Sequence, residues 1–162
     1  MPLLALADFM DVLPARGCLL GVDVGTKTLG LALSDPAWRL ATPHTTLARK
    51  KFTTDVQAMA HIIIQRKVAG VIMGLPRGLD GKQTPMTQSV MQFAENFLTH
   101  AAIVPLNLPL AMWDERLSTL AMERALIALD TTRARRKDLI DQMAAQYILQ
   151  GALDYLGNRG LE

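Results

Sequence analysis

Asp23 is the first residue whose setting asks for a chemical explanation. It lies inside the apolar run Cys18-Leu19-Leu20-Gly21-Val22-Asp23-Val24, where an ionised carboxylate is costly unless it is paired, hydrogen-bonded or bound to a cation. Alternation along a strand puts Leu20, Val22 and Val24 on one face and Gly21, Asp23 and Gly25 on the other. The next run, Leu29-Gly30-Leu31-Ala32-Leu33-Ser34, divides in the same way. If the two small faces coincide, the carboxylate stands over a floor of tiny side chains that a phosphate backbone can approach. The other reading of Asp23 is a turn residue bonded to the Gly25-Thr26 backbone. Farther along, Trp113-Asp114-Glu115-Arg116 ends a third apolar run. Adjacent acids on a continuing strand point to opposite sides, so one of them faces a site there, and Glu115 has the longer reach toward Asp23. Arg116 pairs either with a phosphate or with a neighbouring acid, and Ser118 is most simply a helix N-cap. Asp141 shares a helical stripe with Ala144, Ala145 and Ile148. It reads both as an acid on an inward face and as a capping-box residue near a helix start. Just before it, Arg133-Ala134-Arg135-Arg136-Lys137 packs four cations into five residues, either as a solvated connection or as a holder of substrate phosphates. Arg49-Lys50-Lys51, Arg77 and Lys82 extend such a patch; without interleaved aromatics, base stacking is not expected.

The elements that must position these residues follow from periodicity. Cys18 to Val24 and Leu29 to Ser34 read as a hairpin, and a weaker strand is expected near Ala41 to Leu47. Val56, Met59, Ala60 and Ile63 recur at helical spacing, with Thr54-Asp55-Val56-Gln57 as the expected capping box. Val68 to Met73 is a buried strand. Thr84-Pro85 supplies an N-cap and a first-turn proline for a helix that buries Val90, Phe93, Ala94 and Phe97. Leu108 to Trp113 is the last strand. Ser118 to about Leu129 and Asp138 to about Leu156 are the last two helices, with Asp138 as the N-cap of the second. Hairpins require antiparallel pairing and helical crossovers parallel pairing, so the expectation is a mixed five-stranded α/β sheet flanked by helices, the ribonuclease H-like architecture.

Composition bounds the possibilities further. The 162 residues are 50% apolar and carry 17 Lys and Arg against 15 Asp and Glu, a formal charge of +2. One substantial core is expected, and any nucleic-acid site must be a local patch, since the total charge is too small to hold a polyanion. A single cysteine, Cys18, rules out a disulfide framework and a multi-cysteine zinc site and fits a reducing compartment. No apolar run approaches a membrane span. Residues 1–16 read as an extension, helical in part, that packs on the domain or on another copy; they lack a signal peptide's basic start. Residues 17–162 read as one domain, and the expected location is the cytoplasm.

Four motifs in order, Gly21-Val22-Asp23-Val24-Gly25-Thr26-Lys27 with Gly30, Gly74-Leu75-Pro76 with Asp80-Gly81, Asp114-Glu115-Arg116-Leu117-Ser118-Thr119, and Asp141 with Ala144-Ala145, resemble the YqgF family. Members of that family are pre-16S ribosomal RNA nucleases related to Holliday-junction resolvases. The first motif also resembles the phosphate loop of sugar kinases and actin-like ATPases, but the chain lacks the length and the second loop of those proteins. The YqgF resemblance implies a metal-dependent hydrolase of phosphodiester bonds, with Asp23, Glu115 and Asp141 as catalytic acids and ligands of Mg²⁺ or Mn²⁺. Lys27, Arg77, Arg116, Arg133, Arg135, Arg136 and Lys137 are the candidate substrate-binding cations. The implied partner is structured RNA, namely pre-16S rRNA in ribosomal precursor particles, with maturation of its 5′ end as the task. Branched DNA, or RNA bound without cleavage, is the alternative, and the chain acts as a monomer or homodimer.

Overall fold

A computed structural model describes residues 3–14, 16–77, 80–117 and 133–159, with the side chains of 117, 133–142 and 158–159 left aside. The chain order is β1 (Leu3–Leu4), α1 (Leu6–Val12), β2 (Cys18–Val24), β3 (Thr28–Ser34), β4 (Ala41–Ala48), α2 (Phe52–Gln65), β5 (Val68–Leu75), α3 (Pro85–Thr99), β6 (Leu110–Asp114) and α4 (Arg133–Arg159), with short 3-10 turns at Val104–Leu106 and Glu115–Leu117. The sheet order is β1-β6-β5-β2-β3-β4. β2 and β3 form the expected antiparallel hairpin, while β5 is parallel to both β2 and β6. Six strands replace the expected five, because Leu3 and Leu4 pair in parallel with Leu110 and Ala111. Two residues are too few to carry a period, and they cover an edge of the sheet that would otherwise expose unpaired backbone.

β5 is buried along its whole length, as a central parallel strand must be, and its sequence is accordingly an unbroken apolar run. Each sheet face has its own core. Leu20, Val22, Leu31, Val71 and Met73 pack with Val56, Met59 and Ile63 of α2 and with Val90, Phe93 and Phe97 of α3. Leu19, Ala32, Ile72, Ala111 and Trp113 pack with Phe9 of α1 and with Ala145, Ile148, Leu149 and Ala152 of α4. The second face is built from small residues so that α4 can come close. A Cβ at Gly21 would sit 2.6 Å from Leu149 Cβ and 3.0 Å from the Ala145 carbonyl oxygen. The register does make the small faces coincide, with Gly21 opposite Ala32 and Asp23 opposite Gly30. The floor at Gly21 and Ala32, however, is taken by α4 and is not open to a phosphate.

Two helix starts differ from expectation. α2 begins at Phe52 with Lys51 as a cap that makes no side-chain bond. The nearby acid Asp55, only 3% exposed, accepts the Lys50 N–H at 3.0 Å, so it fixes the chain entering the helix in place of a Thr54 capping box. α4 begins at Arg133, so the basic run is helical and Asp138 is not its N-cap. α3 starts as expected, with Thr84 and Thr87 exchanging a reciprocal capping box and Pro85 in the first turn. The helix expected from Ser118 to Leu129 lies outside the described residues.

Candidate active site

Asp23 is the one partly exposed residue of β2, and alternation puts it on the α4 side with Gly21. The β2–β5 register ends with Val22 beside Met73, and Asp23 and Gly74 are the next residues of the two strands. On the other flank of β5, Gly74 pairs with Trp113 and Leu75 with Asp114. Asp23 and the strand leading to Glu115 are thus two strand spacings apart, roughly 9–10 Å. Glu115 spans part of that gap, as far as Gly74 of β5. β6 ends at Asp114, the chain enters a 3-10 turn at Glu115, and the Glu115 side chain folds back over β5. A Cβ at Gly74 would lie 2.6 Å from Glu115 Oε1 and 2.4 Å from Ile148 Cδ1. The missing side chain of Gly74 is the space into which the carboxylate fits. Glycine in the last turn of an otherwise apolar strand was the sequence signal for it.

Asp141 belongs to α4, one helical turn ahead of Ala145 and two ahead of Ile148, the residues that lie over Gly21 and Gly74. Its side chain lies outside the described residues, as do those of Arg133, Arg135, Arg136 and Lys137. Lys27, on the β2–β3 turn, and Arg77, just after β5, are exposed at the same carboxyl-terminal end of the sheet. That is the end where open parallel sheets gather ligands.

The neighbouring acid is otherwise engaged. Asp114 accepts from Arg116 Nε at 3.0 Å and from Arg116 Nη2 at 2.6 Å, and its Oδ1 also accepts the Arg116 backbone N–H at 3.0 Å. The Arg116 hydrogen bond holds the Asp114 carboxyl below the usual carboxylate range, against the opposing effect of burial. Of the two partners open to Arg116, the structure shows the acid. Arg116 Nη1 lies 3.0 Å from where a Cβ on Gly81 would be, so the pair borders the loop after β5. On the opposite side of the same loop, the Thr87 hydroxyl donates to the Pro76 carbonyl. No side-chain pattern announces that tie.

A family model described as RuvX, Holliday junction resolvase, matches residues 17–155. The chain belongs to the RuvX family. Among relatives, a protein of Zymomonas mobilis named "Putative pre-16S rRNA nuclease" is 50% identical over 90% of this chain and 86% of its own. A protein of the same name from Roseobacter denitrificans is 48% identical over 91% and 89%. Among solved structures, Thermus thermophilus RuvC in complex with a Holliday junction substrate superposes with a TM-score of 0.54 at 13% identity, covering 87% of this chain and 96% of that one. At that identity the likeness concerns the fold, which is ribonuclease H-like. This RuvX family member is a nuclease that hydrolyses phosphodiester bonds.

Gly74 and Gly21 separate activity from stability. Gly74→Ala meets the Glu115 carboxylate and the Cδ1 and Cγ1 atoms of the buried Ile148, side-chain atoms rather than backbone, so the expected stability loss is about 1–3 kcal/mol, with the larger effect a displaced Glu115 and a drop in cleavage rate. Gly21→Ala meets Leu149 Cβ and a backbone carbonyl, which cannot swing aside, and is expected to lower thermal stability the more of the two. Denaturation midpoints and cleavage rates of both variants check this; equal ratios of activity to stability loss would reject it.

Proposed function

We propose that this RuvX protein is a metal-dependent nuclease that matures the 5′ end of precursor 16S rRNA, acting in the cytoplasm on ribosomal precursor particles. The observation that carries the reading is the Glu115 carboxylate resting on Gly74, between β6 and the strand of Asp23. Two carboxylates at the same end of the sheet, with a glycine of β5 leaving room for one of them, suit Mg²⁺ or Mn²⁺, which take oxygen ligands and, for Mg²⁺, need few from the protein. Asp23, Glu115 and Asp141 are the residues that would hold the ion. When bound, it lowers the pKa of an attacking water and stabilises charge on the phosphate oxygens. Lys27 and Arg77 at the sheet rim would meet the flanking phosphates, and Asp114 would hold Arg116 toward the same strand of substrate. No helix among the described residues is long and apolar enough to cross a membrane.

Depleting the protein and mapping 16S 5′ ends tests the reading. Extended ends are expected, restored by the wild-type gene and not by an Asp23→Asn copy. Mature ends after depletion, together with cutting of four-way DNA junctions, would favour a resolvase; binding of RNA without cleavage would favour a non-catalytic factor.

The Arg133–Lys137 turn of α4 is expected to supply affinity. Neutralising Arg135 and Arg136 should weaken RNA binding and flatten its salt dependence by about two charge equivalents at most, since each phosphate contact releases close to one counterion. Binding measured across a salt series checks it, and an unchanged slope would leave the run as a solvated first turn.

A further inference from the structure

Arg49 reads in the sequence as part of a basic patch, yet the structure commits its groups to the turn that follows Asp23. Its Nη1 donates to the Gly25 carbonyl at 2.8 Å, and its backbone N–H donates to the Lys27 carbonyl at 2.9 Å. The same turn is closed by the Gly25 N–H on the Thr28 carbonyl, also at 2.9 Å. The guanidinium lies 5.4 Å from the ring centroid of Phe93, within cation–π range. Phe93 is a buried residue of α3 and is met edge-on by Phe52 of α2 at 5.4 Å. The chain on the other side of Arg49 is fixed as well, by the Lys50 N–H on the buried Asp55 carboxylate. Arg49 thus runs from the helical layer on one side of the sheet to the backbone of a turn whose Thr26 and Lys27 are exposed. A guanidinium suits this task because its planar, always-charged fork can donate to a carbonyl while its face rests on an aromatic ring.

We propose that Arg49 is a positioning residue of the nuclease site: it fixes the Gly25–Thr28 turn, and through it Asp23 and Lys27, without contacting the substrate. The proposal rests on the reading of Asp23 as an active-site acid. It goes beyond that reading in separating one cation at the rim from the phosphate-binding set.

The test compares Arg49→Met, which keeps an aliphatic side chain and removes the donor, with Arg49→Lys, which restores one donor and the charge. Amide hydrogen exchange at Gly25 and Thr28 is read alongside single-turnover cleavage and binding of the RNA or junction that the wild type cuts. The expected result for Arg49→Met is faster exchange in the turn and a turnover loss of roughly ten- to a hundredfold, the scale of a misplaced catalytic group. Its binding affinity and salt slope should match the wild type, and Arg49→Lys should recover exchange protection and turnover together. Weaker binding with a salt slope reduced by about one and unchanged exchange would make Arg49 a phosphate contact and overturn the proposal. A turnover loss that only tracks the folded fraction would also overturn it, as would a Lys variant that regains turnover without protection. Full cleavage by Asp23→Asn, measured in parallel, would overturn the site reading itself, and the exchange data would still report whether Arg49 clamps the turn.

Discussion

Glu115→Gln is expected to eliminate detectable cleavage, while Asp114→Asn remains clearly active. The two acids are adjacent, but β6 ends between them. Asp114 is bound to Arg116 by a fork of hydrogen bonds, whereas Glu115 places Oε1 over Gly74, beside the strand of Asp23. Replacing one oxygen of Glu115 by an amide leaves its size and packing nearly unchanged. It removes the charge that a bound cation and the transition state require. If that charge stabilises the transition state by about 4 kcal/mol, its loss costs roughly a thousandfold in rate. Asp114 and Arg116 are partly open to water, with side chains 21% and 34% exposed, so solvent screens their attraction and it adds little. Asparagine also keeps an acceptor oxygen for the guanidinium, and a few-fold loss is expected. Single-turnover rates at saturating Mn²⁺ decide the matter. The opposite pattern, an active Glu115→Gln and a dead Asp114→Asn, would move the site to the other face of β6.

Much of this arrangement is readable in the residues. The hairpin of β2 and β3, the continuous apolar run of β5 and the Thr84-Pro85 start of α3 each rest on a local rule that tertiary packing does not oppose. Strand alternation predicts that Asp114 and Glu115 point apart, but β6 ends between them and a 3-10 turn, not the strand, carries Glu115. What the sequence could not supply is the meaning of empty space. Gly21 reads as a small residue on the face of Asp23 and Gly74 only as part of a motif, but Gly21 admits α4 and Gly74 admits the Glu115 carboxylate and Ile148. The start of α4 at Arg133 differs from expectation for another reason: Asp138 resembles an N-cap, and a dense basic run resembles a loop. Arg, Ala and Lys are nevertheless strong helix formers, and the helix runs through them. The role of Asp55 was hidden too, because its partner is a backbone N–H that no side-chain pattern announces.

Asp23→Asn should abolish divalent-ion-dependent cleavage and leave the fold intact. A turn-stabilising aspartate would give a different result, a loss of stability with no link to metal. The turn has other supports, since the Gly25 N–H is held by Thr28 and the Gly25 and Lys27 carbonyls by Arg49. Removing the Asp23 charge therefore should not open it. In the proposed site Asp23 and Glu115 would bring like charge to one end of the sheet, and a bound cation is what that pair would gain. The melting temperature of Asp23→Asn without divalent ions is accordingly expected to equal or exceed that of the wild type. With Mn²⁺ the order reverses. An ion present at a hundred times its Kd stabilises the folded wild type by about 2.7 kcal/mol, and each kcal/mol raises the melting temperature of a domain this size by roughly 2–4 °C. The wild type should therefore gain several degrees and the variant little. A Mn²⁺ shift that survives intact in Asp23→Asn would falsify the metal-site assignment of this residue. A wild type without a shift in free Mn²⁺ calls for the same measurement with a non-cleavable substrate strand, because Mg²⁺-type ions keep much of their water and commonly use substrate phosphates as ligands.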